Sequence, residues 1–460
     1  MSVFSKLLLR AAVPDRPLAV MSASGQLGYG IPVEAFQAGL RRKPDFIGAD
    51  MGSIDPGPYY LGSGQMATDP EMTRRDLRLA LMGARELDVP LLLGTAGTAG
   101  ARPHLDATLA MIRDIAAREG LHFRLASIGS DVAPGLVQAA QREGRLHPLG
   151  QIAEPSAKDI EDSRLVAQMG TEPFARALKA GADVIIAGRA CDTAIYSTIP
   201  HLLGYPMGLA VHMAKILECA SLCCTPGGRD AMFGFLDRDG FTLESMNPNR
   251  HARVSSVAAH SLYEQADPFS VAEPEGVLTL HDVKYEALDE HRTRVSGARW
   301  ENASRLRLKI EGSLWEGSRS VLAAGSADPR FIAALDTILP EVEQSVRTLF
   351  PQPFRLFPRV YGKGATSLFP PGLPGAAPAE VFILLECVAE SDAISRGVVS
   401  AFKQYLLHHG FSGRLTTGGN LAFPITPPEL AAGAAYRFSV YHLMDVDDLS
   451  SLFPMHIEEV

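Results

Sequence analysis

The sequence predicts an α/β fold built on a mostly parallel sheet with helices on both faces. Short apolar runs, polar glycine-rich loops after them, and helical segments follow one another at βαβ spacing. From about residue 228 short alternating runs indicate an inserted or appended antiparallel subdomain. We expect an α/β domain at 1–350 that carries the site, with a more β-rich subdomain at 228–330, a Pro/Gly-rich linker at 351–379 and a small C-terminal α+β domain at 380–460.

Composition excludes several classes of protein. At 460 residues the chain exceeds one typical core. Its net charge of −9 argues against a nucleic-acid surface, which needs clustered Lys and Arg. No apolar run is long enough to cross a membrane, and Arg10 interrupts the N-terminal leucines, so we expect a cytoplasmic protein without a secretion signal. The odd count of five cysteines fits reduced thiols.

The first elements are a strand, a glycine-rich turn and a helix. Residues 18–30 run from apolar residues into glycines, and a helix follows over 32–40. The order of the glycines is not the dinucleotide-binding fingerprint, and no phosphate-binding lysine follows. What remains is a glycine loop at the start of a helix, which can offer backbone N–H groups to an anion.

Three further strands end in polar loops. Residues 44–50 end at Asp50, and 123–128 lead to Asp131. Between them, 89–93 lead into the loop 94–106, after a helical segment over 72–87. That loop contains Gly97, Gly100, Arg102 and His104.

The stretch 181–228 has the densest chemistry in the chain. Its apolar run Val184 to Ile186 predicts a strand buried on both faces, followed by Gly188, Arg189 and Asp192. A helical segment after Pro206 then carries His212, Lys215 and Glu218 at intervals of three. The structural alternative is that Lys215 and Glu218 form a solvated pair and that Cys219, Cys223 and Cys224 are small core residues.

Parallel strands would bring Asp50, the loop 94–106, Asp131, Arg189 and Asp192 to one edge of the sheet. A single acid at a strand end is usually a helix N-cap, but several acids with an arginine indicate a site. We expect Asp192 or Glu218 to be a general base and His104 a partner acid. Arg189 and Arg102 would bind substrate, with backbone donors at Gly97, Gly100 and Gly188. Alternatively, Asp50 and Asp131 would hold a divalent metal such as Mg²⁺.

The C-terminal third has its own pattern. Helical spacing covers 331–349, and 351–379 is rich in Pro and Gly. A buried strand (380–390), a capped helix (391–410) and an alternating strand (436–448) predict the small α+β domain. We expect a homo-oligomer, because an apolar face on this unit would favour dimerisation.

Several motifs together resemble the acyclic terpene utilisation protein A family. They are GADVIIAGRACDTA (181–194), KILECA (215–220) with the following Gly-Gly, SSVAAHSLYEQADP (255–268) and VSGARW (295–300), with TTGGNLAFP (416–424) resembling the ending of one branch. The resemblance places the family's Gly-Arg-x-x-Asp pattern on Gly188, Arg189 and Asp192, and its helix-end acid on Glu218. Asp50 stands where the family often has Glu. The resemblance implies a fold and a role in the catabolism of terpenoids and other carboxylated compounds.

Three functions follow as hypotheses. The first is an enzyme of the lyase/hydratase class, which abstracts a proton from a small carboxylate or its acyl-CoA thioester. The second is a non-catalytic ligand-binding or scaffold subunit of a degradation pathway. The third is thiol chemistry at Cys191 or Cys219, since a thiol near Arg189 would have a lowered pKa if it were exposed.

Overall fold

Five parallel strands form the centre of the largest sheet in the computed structural model, which describes residues 2–11, 16–263, 265–366 and 378–460. The strands of the described chain are β1 Leu18–Ser22, β2 Phe46–Asp50, β3 Leu91–Gly94, β4 Arg124–Ile128, β5 Leu146–Pro148, β6 Arg164–Ala167, β7 Val184–Ala187, β8 Met232–Leu236, β9 Gly240–Ser245, β10 Ser270–Glu273, β11 Gly276–Thr279, β12 Lys284–Ala287, β13 Arg292–Ser296, β14 Arg299–Asn302, β15 Leu306–Ser326, β16 Phe354–Tyr361, β17 Val381–Ala389, β18 Glu429–Val446 and β19 Met455–Glu459.

The helices alternate with the strands over the first half of the chain. Within the described ranges they are α1 Val3–Ala11, α2 Val33–Arg41, α3 Pro58–Ser63, α4 Pro70–Leu87, α5 Arg102–Glu119, α6 Pro134–Arg142, α7 Ala157–Glu161, α8 Thr171–Lys179, α9 Asp192–Leu202, α10 Met207–Leu217, α11 Val254–Ser261, α12 Pro329–Leu349 and α13 Asp392–His408. None of these helices is long and apolar enough to cross a membrane.

The predicted α/β class is confirmed, but the sheet is mixed rather than mostly parallel. Its order in the described residues is β12-β13-β9-β8-β1-β2-β3-β7-β4-β19. Only the pairings among β1, β2, β3, β7 and β4 are parallel, and the outer ones are antiparallel. The outer strands on one side come from 228–330, where tight turns join neighbours and impose antiparallel pairing. On the other edge lies β19, from the end of the chain.

Helices cover both faces of the central strands, as predicted. Successive residues of a strand point to opposite faces, so Phe46 of β2 packs into one core and Ile47 into the other. Tyr196 and Met213, from α9 and α10, belong to the first core, and Phe36 of α2 belongs to the second. Both cores are built from fully buried aliphatic and aromatic side chains, which explains the nearly continuous apolar runs of these strands.

The register of the parallel strands aligns their carboxyl ends. Asp50 at the end of β2 is opposite Gly94 of β3, and Leu93 is opposite Ile186 of β7. The loops after these strands, including 95–101 and 188–191, therefore leave the sheet along the same edge.

The described chain divides into two compact units, Met1–Leu314 with Phe438–Val460, and Trp315–Arg437. Both boundaries fall inside the long strands β15 and β18. The division at 350 and 380 stays a prediction. Within the expected linker 351–379, the structure has strand β16, and residues 367–377 lie outside the described residues.

The second unit is a small α+β layer. Strand β17 pairs antiparallel with β16 and with residues 318–326 of β15. Helices α12 and α13 contribute Phe331, Leu335 and Phe402 to a core shared with Ile383 and Leu385. Asp328 caps α12 by accepting hydrogen bonds from the N–H groups of the helix's first turn.

Candidate active site

Three carboxyl groups meet at the carboxyl edge of the parallel strands. Asp50 ends β2, Asp192 begins α9 directly after the β7 loop, and Glu218 follows the last residue of α10. Asp192 interacts electrostatically with Glu218, and its charge also acts on Asp50. These three residues, far apart in sequence, are therefore brought together by the fold.

Burial and mutual repulsion disfavour full charge on Asp50 and Glu218. Burial, and then the charge of Asp192, raise the pKa of Asp50, against the attraction of Arg189. Burial is also the largest cause of the raised pKa of Glu218. The interaction with Asp192 raises this pKa further, while Lys215 opposes the shift. A hydrogen bond between two carboxyl groups requires a proton on one of them. The raised pKa of Glu218 therefore favours a proton on this pair rather than two full charges.

Two oxygens of the group are unsatisfied. Asp50 Oδ2 accepts a hydrogen bond of 3.0 Å from the N–H of Gly52. Asp50 Oδ1 and Asp192 Oδ1 are buried and have no hydrogen-bond partner among the described residues. Buried polar atoms normally have a partner, so these atoms favour a bound water, proton or ligand at this position.

Arg189 lies next to Asp192, and its charge is already paired with Glu311. Its Nε donates to Glu311 Oε2 at 2.8 Å and its Nη2 to Oε1 at 3.3 Å, while Nη1 lies 4.0 Å from Asp192 Oδ1. Burial lowers the pKa of Arg189, but Glu311 outweighs it, so the guanidinium is firmly charged. Arg189 therefore places a paired positive charge next to Asp192, and its role as a substrate anchor stays a prediction.

The glycines allow backbone segments to cross closely. Gly100 has a φ of +70°, and a Cβ on it would lie 2.1 Å from the backbone nitrogen of Arg189. A Cβ on Gly188 would lie 2.4 Å from Ser130 Oγ, which accepts a hydrogen bond from the Arg189 N–H. Gly97 packs in the same way against His104. These positions explain the glycines by packing, whereas their proposed donation to substrate stays a prediction.

Three other predicted site residues, His104, Arg102 and Asp131, have neighbours different from those of Asp50, Asp192 and Glu218. His104 is buried, its Nε2 lies 3.0 Å from the carbonyl of Gln65, and burial lowers its pKa. Arg102 pairs with Asp106 at the exposed start of α5. Burial raises the pKa of Asp131, whose charged neighbours are Arg164 and Arg102. Among the described residues, no three His, Cys, Asp or Glu side chains are grouped to hold a metal ion.

A cavity of about 770 Å³ reaches two of the three carboxyl residues, Asp192 and Glu218. Asp192, Glu218 and Lys215 line it, and Lys215 Nζ lies 3.9 Å from Glu218 and 4.9 Å from the ring centre of Tyr263. The Lys215 side chain is buried, so the interpretation of Lys215 and Glu218 as a solvated pair is wrong. His212 beside it is neutral, because burial and then Lys215 lower its pKa to about 3.

Sequence reasoning missed two acids of this site, Glu273 and Glu311. Glu273 of β10 lines the cavity and accepts a hydrogen bond of 2.8 Å from Thr193. Burial raises the pKa of Glu273 to about 7. Glu311 belongs to β15, where the alternation in 305–311 (RLRLKIE) places charged residues on one face and could have identified it.

The thiols do not show the predicted activation. Cys191 is buried, and burial raises its pKa well above the ordinary value, followed by the charges of Glu273 and Glu275. The Sγ of Cys219 lies 3.3 Å from the Tyr263 hydroxyl. A raised pKa disfavours the thiolate, and the exposure on which a lowered pKa at Cys191 depended is not present.

Comparison with known proteins identifies the family. The model of the family described as "Acyclic terpene utilisation family protein AtuA" matches residues 98–333, which include Asp192, Glu218, Glu273 and Glu311. No curated protein and no solved structure gives a significant match. Because the matched segment covers more than half of the chain, the protein belongs to the acyclic terpene utilisation family, and this implies involvement in acyclic terpene utilisation.

Proposed function

We propose that this chain is an enzyme that moves protons on a small carboxylated substrate or its acyl-CoA thioester, in a lyase/hydratase-type reaction. One observation carries the proposal: Asp192 and Glu218 both line a large cavity, their charges interact, and Asp192 Oδ1 has no hydrogen-bond partner among the described residues. Two interacting carboxyl groups in one cleft can supply the base and the acid that a proton-transfer reaction requires.

In the proposed reaction Asp192 is the base and Glu218 the acid. The Asp192 carboxylate takes the proton from the carbon next to the substrate carbonyl, and the electron pair forms the double bond. The hydroxyl on the neighbouring carbon leaves as water with the proton of Glu218. Lys215, 3.9 Å from Glu218, supplies positive charge to the negative oxygen that develops on the carbonyl.

Proton abstraction is tested by exchange in deuterated water. The purified chain is incubated with acyclic terpenoid acids and their CoA thioesters, and mass spectrometry follows deuterium at the carbon next to the carbonyl. We expect exchange with the wild type and a loss of at least about 100-fold with Asp192→Asn or Glu218→Gln, the usual contribution of a general acid or base.

Matched controls separate chemistry from folding. Asp106→Asn and Glu71→Gln make the same changes in exposed helical ion pairs and should leave exchange unchanged. Folded Asp192→Asn and Glu218→Gln variants with wild-type exchange would refute the proposal. If these variants also restored growth of a gene-deleted host on an acyclic terpenoid, the non-catalytic scaffold would be the function.

A further inference from the structure

One strand carries a ladder of charges along the wall of the same cavity. Arg305, which directly precedes β15, lines the cavity with Arg307 and Lys309 of the strand, and Glu311 continues the row on β15. Their side chains are exposed by 53%, 56%, 20% and 0%, so the row runs from solvent into the interior. Alternate residues share a face at a rise of about 3.3 Å per residue, which places Glu311 about 13 Å along the strand from Arg307.

The outer end of the ladder has excess positive charge. Arg305 and Arg307 share one carboxylate, Asp445, at 3.2 and 2.9 Å. His147 Nε2 lies 3.3 Å from the same carboxylate, and Arg145 donates to the Asp445 carbonyl. Each guanidinium has five N–H donors, so donors remain after one contact with Asp445. Asp445 therefore fixes two arginines next to each other at the outer end of the cavity wall.

The inner part of the cavity has the opposite character. Asp192, Glu218 and Glu273 line it with Lys215, while Lys309 is paired with Glu311 at 3.0 Å and lies over the ring of Tyr441. Glu311 pairs with Arg189, whose Nη1 lies 4.0 Å from Asp192, so the acidic part of the wall is near the inner end of the row, about 13 Å along the strand from Arg307. The separation suits an extended ligand, with an anionic group at one end and its reacting carbon at the other.

We propose that Arg305 and Arg307 form a phosphate-binding subsite for the carrier end of a thioester substrate. Paired guanidiniums match the geometry of phosphate oxygens and bind them in bidentate fashion. The inference rests on the proposed function and selects between its two substrate classes: the substrate is bound to a phosphate-bearing carrier such as coenzyme A, rather than being a free acid.

The probe is adenosine 3′,5′-bisphosphate, which has the phosphates of such a carrier without the acyl group. Calorimetric titration should show binding to the wild type and at least about tenfold weaker binding to the Arg305→Gln/Arg307→Gln variant, because charge-assisted contacts are lost. Arg305→Lys/Arg307→Lys should recover part of the affinity. Arg78→Gln, a change in an exposed ion pair, is the control that should bind as the wild type does.

Two results would overturn the subsite. One is bisphosphate binding to the Gln/Gln variant as tight as to the wild type. The other is absence of bisphosphate binding to the wild type, and binding of a simple dicarboxylate through the two arginines would then assign them to a free acid. Deuterium exchange tests the proposed function separately: Asp192→Asn should abolish exchange and keep bisphosphate binding, so either proposal can fail alone.

Discussion

Replacing Glu311 by Gln should destabilise the first unit strongly, because the change leaves Arg189 charged and buried. Both side chains are almost inaccessible, at 4% and 0% exposure, and Glu311 also neutralises Lys309. Breaking a buried pair by removing one partner typically costs about 3–5 kcal/mol. Gln keeps the shape and one oxygen as acceptor, so the loss measures the charge rather than a cavity.

Urea unfolding measures the cost in the unit concerned. The two tryptophans fall in different units, Trp300 in the first and Trp315 in the second. In a Trp315→Phe background, fluorescence therefore reports the first unit. Glu458→Gln is the matched control, since its pair with Arg113 is partly exposed and should contribute only about 0–1 kcal/mol. A loss below about 1 kcal/mol for Glu311→Gln would refute the view that burial makes this pair essential.

Three further predictions follow from local geometry. The pKa of Glu273 is raised to about 7, so the folded state holds its proton more tightly than the unfolded state, whose value is near 4.5. The stability that protonated Glu273 contributes is complete below pH 4.5 and is lost as pH rises through 7, with an upper limit of about 3 kcal/mol. In urea unfolding from pH 4 to 8, the free energy of unfolding should therefore decline less for Glu273→Gln than for the wild type. Identical pH profiles would refute the shift. Gly100→Ala should lower the free energy of unfolding by more than about 2 kcal/mol, because a strained φ is combined with a clash at Arg189. Gly120→Ala, at a similar φ in open space, should lower it by only about 1 kcal/mol. Equal losses of stability in urea would contradict this reasoning. Asp328→Ala should cost about 1 kcal/mol by removing the α12 cap, with Asp328→Ser largely retaining stability, and an unchanged urea midpoint for Asp328→Ala would count against the cap.

Local patterns were sufficient for the central strands and for the loops at their ends. Apolar runs such as Val184–Ala187 can only be stable when covered on both faces, and chain direction then fixes which loops share an edge. The position of Asp192 at this edge follows from this logic, whereas Glu218 lies at the end of helix α10 and nothing in the spacing showed that the two side chains interact.

The partners of buried charges could not be read from the chain. Arg189 and Glu311 are 122 residues apart, and their pairing depends on β15 passing beside the loop after β7. Likewise, the sequence of the antiparallel strands that extend the sheet has the pattern typical of hairpins. Only the pairing of β8 with β1 makes them part of the same sheet, which is therefore mixed.

The sequence by itself determined the α/β class, the parallel centre and the membership of residues 98–333 in the family, because each depends on local order and periodicity. Tertiary structure alone decided which carboxyl groups share protons, which arginine is neutralised and which arginines face the cavity. Those outcomes depend on desolvation and on charges brought within a few ångströms from distant segments, and neither quantity exists until the chain has folded.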